Sequence, residues 1–127
     1  MYTFKKEERL CNKGLIDKLF HNGSSFLCYP FKASWLLIDE PMQFPAQILF
    51  SVSKRRYKHA HDRNLIKRRM REAYRLNKQQ HLYDALNSAS KNIVLSVGFI
   101  GKDIAEYDFA EKKMLKLLTQ LCAEITK

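Results

Sequence analysis

The chain has 127 residues, 46% of them hydrophobic, the size and composition of one domain that buries a single core. Its 23 Lys and Arg against 13 Asp and Glu leave a net charge of +10, which points away from basic or neutral partners and toward a polyanion. The longest apolar runs, SWLLI and NIVLSVGFI, fall well short of the roughly 18–20 residues that span a bilayer, and residues 1–9 lack a signal-peptide core, so a cytoplasmic protein without a membrane partner is expected.

In chain order, a helix is expected from about Lys6 to Phe20, where Leu10, Ile16, Leu19 and Phe20 recur at near-helical spacing. Asn22-Gly23 suits a left-handed C-cap. A short strand is expected around Phe26 to Cys28, then a longer one in which Phe31, Ala33, Trp35 and Leu37 alternate with Lys32, Ser34, Leu36 and Ile38. Asp39 to Pro45 has turn chemistry with two prolines. Ala46 to Ser53 then alternates Ala46, Ile48, Phe50 and Val52 inward, and the last two strands are expected to pair as a hairpin. Ile93 to Phe99 is β-branched and mostly apolar, the pattern of a central strand. A final helix starts with a capping-box-like Asp108 and Glu111 and places Met114, Leu118, Leu121 and Ile125 on one face. Cys11, Cys28 and Cys122 show no metal-ligand spacing and are expected as buried, reduced thiols.

The charge is concentrated. Ser53 to Lys78 holds eleven Lys or Arg against Asp62 and Glu72, a local +9 of the chain's +10. Asp62 suits an N-cap, and no Pro or Gly interrupts the chain from there to Lys78, so the segment is expected as a helix. At about 100° per residue, Arg63, Asn64, Lys67, Arg68, Arg71, Arg75 and Lys78 share an arc of about 140°, while Ile66, Met70 and Ala73 lie opposite. A merely solvated basic face usually interleaves Glu at i,i+4; here only Glu72 is available, so a partner that carries phosphates is the better explanation.

Chemistry by the protein itself finds little support. The acids are scattered rather than convergent, as a Mg²⁺-dependent nuclease would need, and His59 and His61 sit in the basic linker with no further ligand nearby. No catalytic residue and no metal ligand is therefore assigned.

Ser51-Val52-Ser53-Lys54, a short basic linker, then Arg63-Asn64-Leu65-Ile66-Lys67-Arg68 and Arg71-Glu72, resembles the bacterial ribonuclease P protein family, in which a strand ending SVSK precedes a helix opening RNRxKRxxRE. Arg9-Leu10, Phe20 through Gly23 and Phe31 extend the resemblance along most of the chain. It implies an α+β fold over one domain, residues 1–127: a two-layer α/β sandwich of order α-β-β-β-α-β-α with a left-handed βαβ crossover, similar to a ribosomal protein fold. It further implies a noncatalytic subunit, monomeric when free, that binds the ribonuclease P RNA and the 5′ leader of precursor tRNA. No cofactor is then held by the protein, while the holoenzyme requires Mg²⁺. Ser53, Lys54, Arg55, Arg63, Asn64, Lys67, Arg68, Arg71 and Arg75 would hold the RNA subunit, and Ile16, Phe20, Lys32 and Ser34 would form the leader cleft. Two departures stand out. Leu65 replaces the second arginine of the motif, leaving Arg69 or Arg55-Arg56 to compensate, and Ile16 and Ser34 stand where the family often has aromatics. A ribosomal or other structural RNA-binding protein is the alternative that charge alone leaves open.

Overall fold

The structure, a computed structural model, describes residues 3–126. A 3-10 turn (Lys6–Glu8) precedes helix α1 (Lys13–Asn22) and strands β1 (Ser24–Cys28), β2 (Phe31–Ile38) and β3 (Ala46–Val52). Helix α2 (Ala60–Lys78) continues through a π-helical turn (Gln79–Tyr83) into α3 (Asp84–Ala89), followed by β4 (Asn92–Phe99) and α4 (Tyr107–Ile125). Among the described residues no helix is long and apolar enough to cross a membrane.

The four strands form one sheet in the order β1-β2-β4-β3. β1 and β2 are an antiparallel hairpin closed at Cys28 and Phe31, β2 runs antiparallel to β4, and β4 runs parallel to β3. The expected pairing of β2 with β3 therefore does not occur, because β4 lies between them. Ile93, Val94, Leu95 and Val97 are all buried, so β4 is apolar on both faces and is stable only where both faces are covered. Asp39 to Pro45 becomes a bridge across β4, tied down where Asn92 Nδ2 donates to the Glu40 carbonyl at 3.1 Å and the Ile93 amide donates to the Pro45 carbonyl at 2.9 Å.

Strand alternation sorts the two faces. Phe31 and Ala33 of β2, Ala46 and Ile48 of β3, and Leu95, Val97 and Phe99 of β4 pack against Met70 and Tyr74 of α2 and Leu117, Leu118 and Leu121 of α4. On the other face, Leu10 and Leu19 meet Val94, with Ile16, Leu36, Ile38 and Leu49 beside them. α1 covers only the Val94 end of that face. Two residues and four residues farther along β4 come Ser96 and Gly98, whose side of the sheet borders a cleft instead of a helix.

The N-terminal expectation is corrected in two places. The helix does not run unbroken from Lys6: Arg9 bridges to Ile48, and the Leu10 amide donates to the Ile48 carbonyl at 2.9 Å, so this segment extends the sheet beside β3. α1 starts only at Lys13, where Asn12 Oδ1 accepts from the Leu15 amide at 3.1 Å. At its far end Gly23 is extended rather than left-handed (φ −74°). A Cβ there would stand 2.4 Å from the Leu19 carbonyl oxygen and 3.0 Å from that of Trp35, so glycine is needed for close approach and not for φ. α4 starts one residue before Asp108, and Glu111 accepts from Tyr107 Oη at 3.2 Å and Asn77 Nδ2 at 3.1 Å instead of closing a capping box. Of the cysteines, Cys28 is buried and Cys122 half-buried, but Cys11 is exposed; all are free thiols.

Candidate nucleic-acid interface

α2 starts at Ala60, two residues before Asp62, which lies in its first turn rather than at the cap. Its Ile66, Met70 and Ala73 are buried as expected, and Tyr74 is buried with them. The opposite face carries the basic residues, but the fold has sorted them into occupied and free cations. Arg63 Nη1 donates to the carbonyls of Tyr57 at 2.8 Å and Lys58 at 2.9 Å, clasping the preceding loop to the helix. Arg69 Nη1 donates to the Ala105 carbonyl at 2.6 Å, on the α4 side. Arg75 makes a bidentate pair with Glu72 (3.0 and 2.6 Å). That pair depresses the Glu72 carboxyl and raises the Arg75 guanidinium, yet the two side chains are 31% and 45% exposed, so it contributes little stability.

Lys67, Arg68 and Arg71 have no hydrogen-bond or ion-pair partner among the described residues. Arg68, Arg71 and Asn64 are exposed and Lys67 is half-buried. Leu65 is half-buried and, with His61, Asn64, Arg68 and Arg71, borders a depression of about 280 Å³. The missing arginine of the motif is thus replaced by an apolar wall between free cations. Of the residues considered as its substitutes, Arg69 is tied to Ala105 and Arg56 donates to the Ile100 carbonyl, which leaves Arg55 exposed and unpaired. Ser53, Lys54 and Arg55 are all exposed at the end of β3, in a turn closed by the Tyr57 amide donating to the Ser53 carbonyl at 3.0 Å. Tyr57 Oη donates to the Gly101 carbonyl at 2.8 Å and pins this turn to the exit of β4.

Lys78 is not on the stripe. It is 2% exposed, and its Nζ pairs with the Glu8 carboxylate and the Thr3 carbonyl. By this turn the rotating arc has met the N-terminal segment, which crosses α2 here. Glu8 also accepts from the Lys5 amide and from Tyr83 Oη, each at 2.6 Å. Burial pushes the Glu8 carboxyl up, but these donors and Lys78 together hold it below its usual range. Burial dominates at Lys78 and lowers its ammonium despite Glu8.

The second surface is the cleft left open beside α1, about 450 Å³ in volume. Phe20 and Lys32 stand at its sides, and Ser25, Ser34, Ser51 and Ser96 supply hydroxyls from all four strands. Ser25 and Ser34 share a hydrogen bond at 3.0 Å. Phe20 is 61% exposed, which rules out a core role for it. The structure therefore brings Phe20, Lys32 and Ser34 together and leaves Ile16 out. Ile16 lies one turn earlier on α1, over the Val94 end of the sheet, and packs there. Sequence reasoning missed Ser25, Ser51, Ser96 and Gly98. The signal for three of them was available: Ser51, Ser96 and Gly98 are the small residues that interrupt apolar strands on the face opposite the main core. Among the described residues no carboxylate or imidazole side chain borders the cleft.

Comparison with known proteins places the chain in a family. Residues 4–122 match the family model described as Ribonuclease P. The ribonuclease P protein component of Porphyromonas gingivalis is 30% identical over 124 residues, covering 98% of this chain and 90% of that protein. The ribonuclease P protein component of Chlorobium phaeobacteroides is 42% identical over 81 residues, covering 61% of this chain and 56% of that one. Among solved structures, the RNase P protein from Thermotoga maritima superposes with a TM-score of 0.70 at 21% identity, covering 89% of this chain and 96% of that chain. The Staphylococcus aureus RNase P protein does so with a TM-score of 0.64 at 19% identity, covering 94% and 95%.

Proposed function

The chain belongs to the ribonuclease P family and supplies the protein subunit of that enzyme in tRNA 5′ processing; from this premise we propose that it engages two RNAs through two surfaces of different chemistry, which adjoin at Ser53. The α2 face anchors the ribonuclease P RNA. The cleft beside α1 holds the 5′ leader of precursor tRNA as a single strand. The observation that carries this reading is the separation of the two chemistries. Unpaired cations lie along one helix, suited to the phosphates of a folded RNA. The serine-floored cleft carries one lysine and one exposed aromatic, suited to a flexible strand whose bases are free to stack.

Hydrolysis of the phosphodiester in this reading belongs to the RNA, with Mg²⁺ held there; in support, the described residues bordering the protein's cleft include no carboxylate or imidazole to activate water or bind the ion. What the protein's residues do is bind and orient. Arg68, Arg71, Lys67 and Asn64 fix the RNA subunit, Ser53, Lys54 and Arg55 extend that contact to the end of β3, and Phe20, Lys32 and Ser34 align the leader.

The test is reconstitution of the full chain with a bacterial ribonuclease P RNA and a 5′-labelled precursor tRNA at low Mg²⁺, scored against RNA alone and protein alone. Leader release that is efficient only in the combination is expected. Cleavage by protein alone would move the chemistry onto this chain, to His59 and His61 first. A combination no better than RNA alone would remove the assignment to this enzyme.

A further inference from the structure

Among the described residues that border the depressions beside α2, Arg9 is the one cation that comes from outside α2 and its preceding turn. The N-terminal segment crosses α2 so that Arg9 borders two adjoining depressions. One, of about 230 Å³, it shares with Lys67 and Arg71; the other, of about 270 Å³, with Arg68, Arg71 and Arg75. Arg71 stands at the junction of both. The Arg9 guanidinium rests 5.5 Å from the centre of the Phe4 ring, which limits its rotamers without neutralising its charge. Arg9, Lys67 and Arg71 have no anionic partner among the described residues. Three cations from two chain segments thus border one concavity whose described lining holds no carboxylate; Glu72, which borders the adjoining depression, is paired with Arg75.

Their convergence is built in and not incidental. Residue 8, adjacent to Arg9, is the buried Glu8 that pairs with Lys78 and accepts from Tyr83 and the Lys5 amide. Residue 10, on its other side, is buried and hydrogen-bonded to Ile48. The backbone at Arg9 is therefore clamped on both sides while its side chain stays exposed. Clamping a backbone so that an unpaired cation meets two others is costly unless an anion completes the set.

We propose that the groove between the N-terminal segment and α2 is a phosphate subsite for RNA, in which Arg9, Lys67 and Arg71 together hold a backbone phosphodiester, with the Glu8–Lys78 pair as its positioning element. This rests on the reading of α2 as the RNA-subunit anchor and adds a contact from a separate chain segment. Its polar side chains are guanidinium and ammonium groups, donors that match the oxygens of a phosphodiester, beside the apolar rings of Phe4 and Phe50.

The experiment measures binding of the full chain to ribonuclease P RNA across a salt series for the wild type, Arg9→Ala, Arg9→Lys, and Arg9→Ala combined with Arg71→Ala or with Arg55→Ala. Arg9→Ala is expected to weaken binding about tenfold and to lower the slope of log affinity against log salt by about 0.9, the loss of one phosphate contact. Arg9→Lys restores the slope but not the full affinity, because a bidentate fork has become a point charge. Combined with Arg71→Ala, the loss is smaller than the product of the single effects, since the two share a phosphate; combined with Arg55→Ala, the effects multiply. Circular dichroism is expected to match wild type, because the Arg9 bridge to Ile48 uses only backbone, and the melting temperature to fall by no more than the loss of one exposed cation–π contact with Phe4. If Arg9→Ala leaves both slope and affinity unchanged while wild type binds tightly, the subsite is overturned and the α2 anchor stands. If wild type shows no preference for this RNA over an unrelated folded RNA of equal length, the anchor itself is overturned, and the subsite with it.

Discussion

Replacing Lys78 by Met tests the buried lock between the N-terminal segment and α2, and the structure fixes both its size and its sign. Glu8 is 1% exposed and Lys78 2%. Without Lys78 the Glu8 carboxylate keeps two neutral donors, the Lys5 amide and Tyr83 Oη, but loses its only countercharge in the salt-bridge set of the described residues. Breaking one partner of a buried pair costs about 3–5 kcal/mol, a large part of the roughly 5–15 kcal/mol that holds a domain together. The pH dependence should also change direction. In the wild type the Glu8 carboxyl is held below its ordinary value of 4.5. The unfolded chain then binds the proton more readily, and the Glu8 contribution is present above pH 4.5 and lost as pH falls through the lower folded value. In Lys78→Met, burial raises the carboxyl instead, so the folded state binds the proton more readily. The deficit relative to wild type should then be smallest at acid pH, below the wild-type folded value, should grow as pH rises through 4.5 to the new folded value, and should level off above it. Urea unfolding at pH 5 and pH 8, followed by far-UV circular dichroism and tryptophan fluorescence, reads both quantities. A loss under about 1 kcal/mol, or a loss equal at both pH values, would refute the claim that the pair is buried and coupled. Glu8→Gln with Lys78→Met, which removes both charges, should recover most of the stability.

Three further outcomes follow from the two surfaces. Arg68→Ala, which removes an exposed cation with no internal partner, should reduce the salt slope of ribonuclease P RNA binding by about 0.9 without changing the melting temperature; an unchanged slope takes Arg68 out of the interface. Phe20→Ala should reduce the preference for precursor over mature tRNA by about 1–3 kcal/mol in the assembled complex, the range for one stacked base, and equal losses for both substrates would show that the ring does not touch the leader. Gly98→Val puts a side chain on the cleft floor, its Cβ 3.1 Å from Ser51 Oγ; leader discrimination should fall while binding of the RNA subunit is unchanged, and a variant that still discriminates fully would place the leader elsewhere.

Much of the molecule could be read before its structure. The alternation of Phe31, Ala33 and Trp35 with Lys32 and Ser34 assigned the two faces of β2 correctly, because a strand's side chains point up and down by stereochemistry whatever it pairs with. The basic arc of α2 was legible for the same reason: helical periodicity alone places Asn64, Lys67, Arg68 and Arg71 on one side and Ile66, Met70 and Ala73 on the other. The family signature, from Ser51 to Glu72, identified the chain's relatives.

Long-range arrangement was another matter. Nothing local in β2 or β3 says that β4 will insert between them; that outcome depends on which strand most needs cover on both faces, a comparison made only when all strands compete for the same core. The periodicity that placed Lys78 on the basic arc is correct in angle and wrong in consequence, because the angle does not report that the N-terminal segment passes over the last turn and buries it against Glu8. Arg9 could not be joined to Lys67 and Arg71 from spacing, since nearly sixty residues and a sheet edge separate them. Periodicity is a property of each segment's own backbone and is written in the chain. Which cations find a partner, which remain exposed without one, and which small residues border a cleft rather than a helix are decided by contacts between segments, where burial and charge pairing are settled for the whole fold at once.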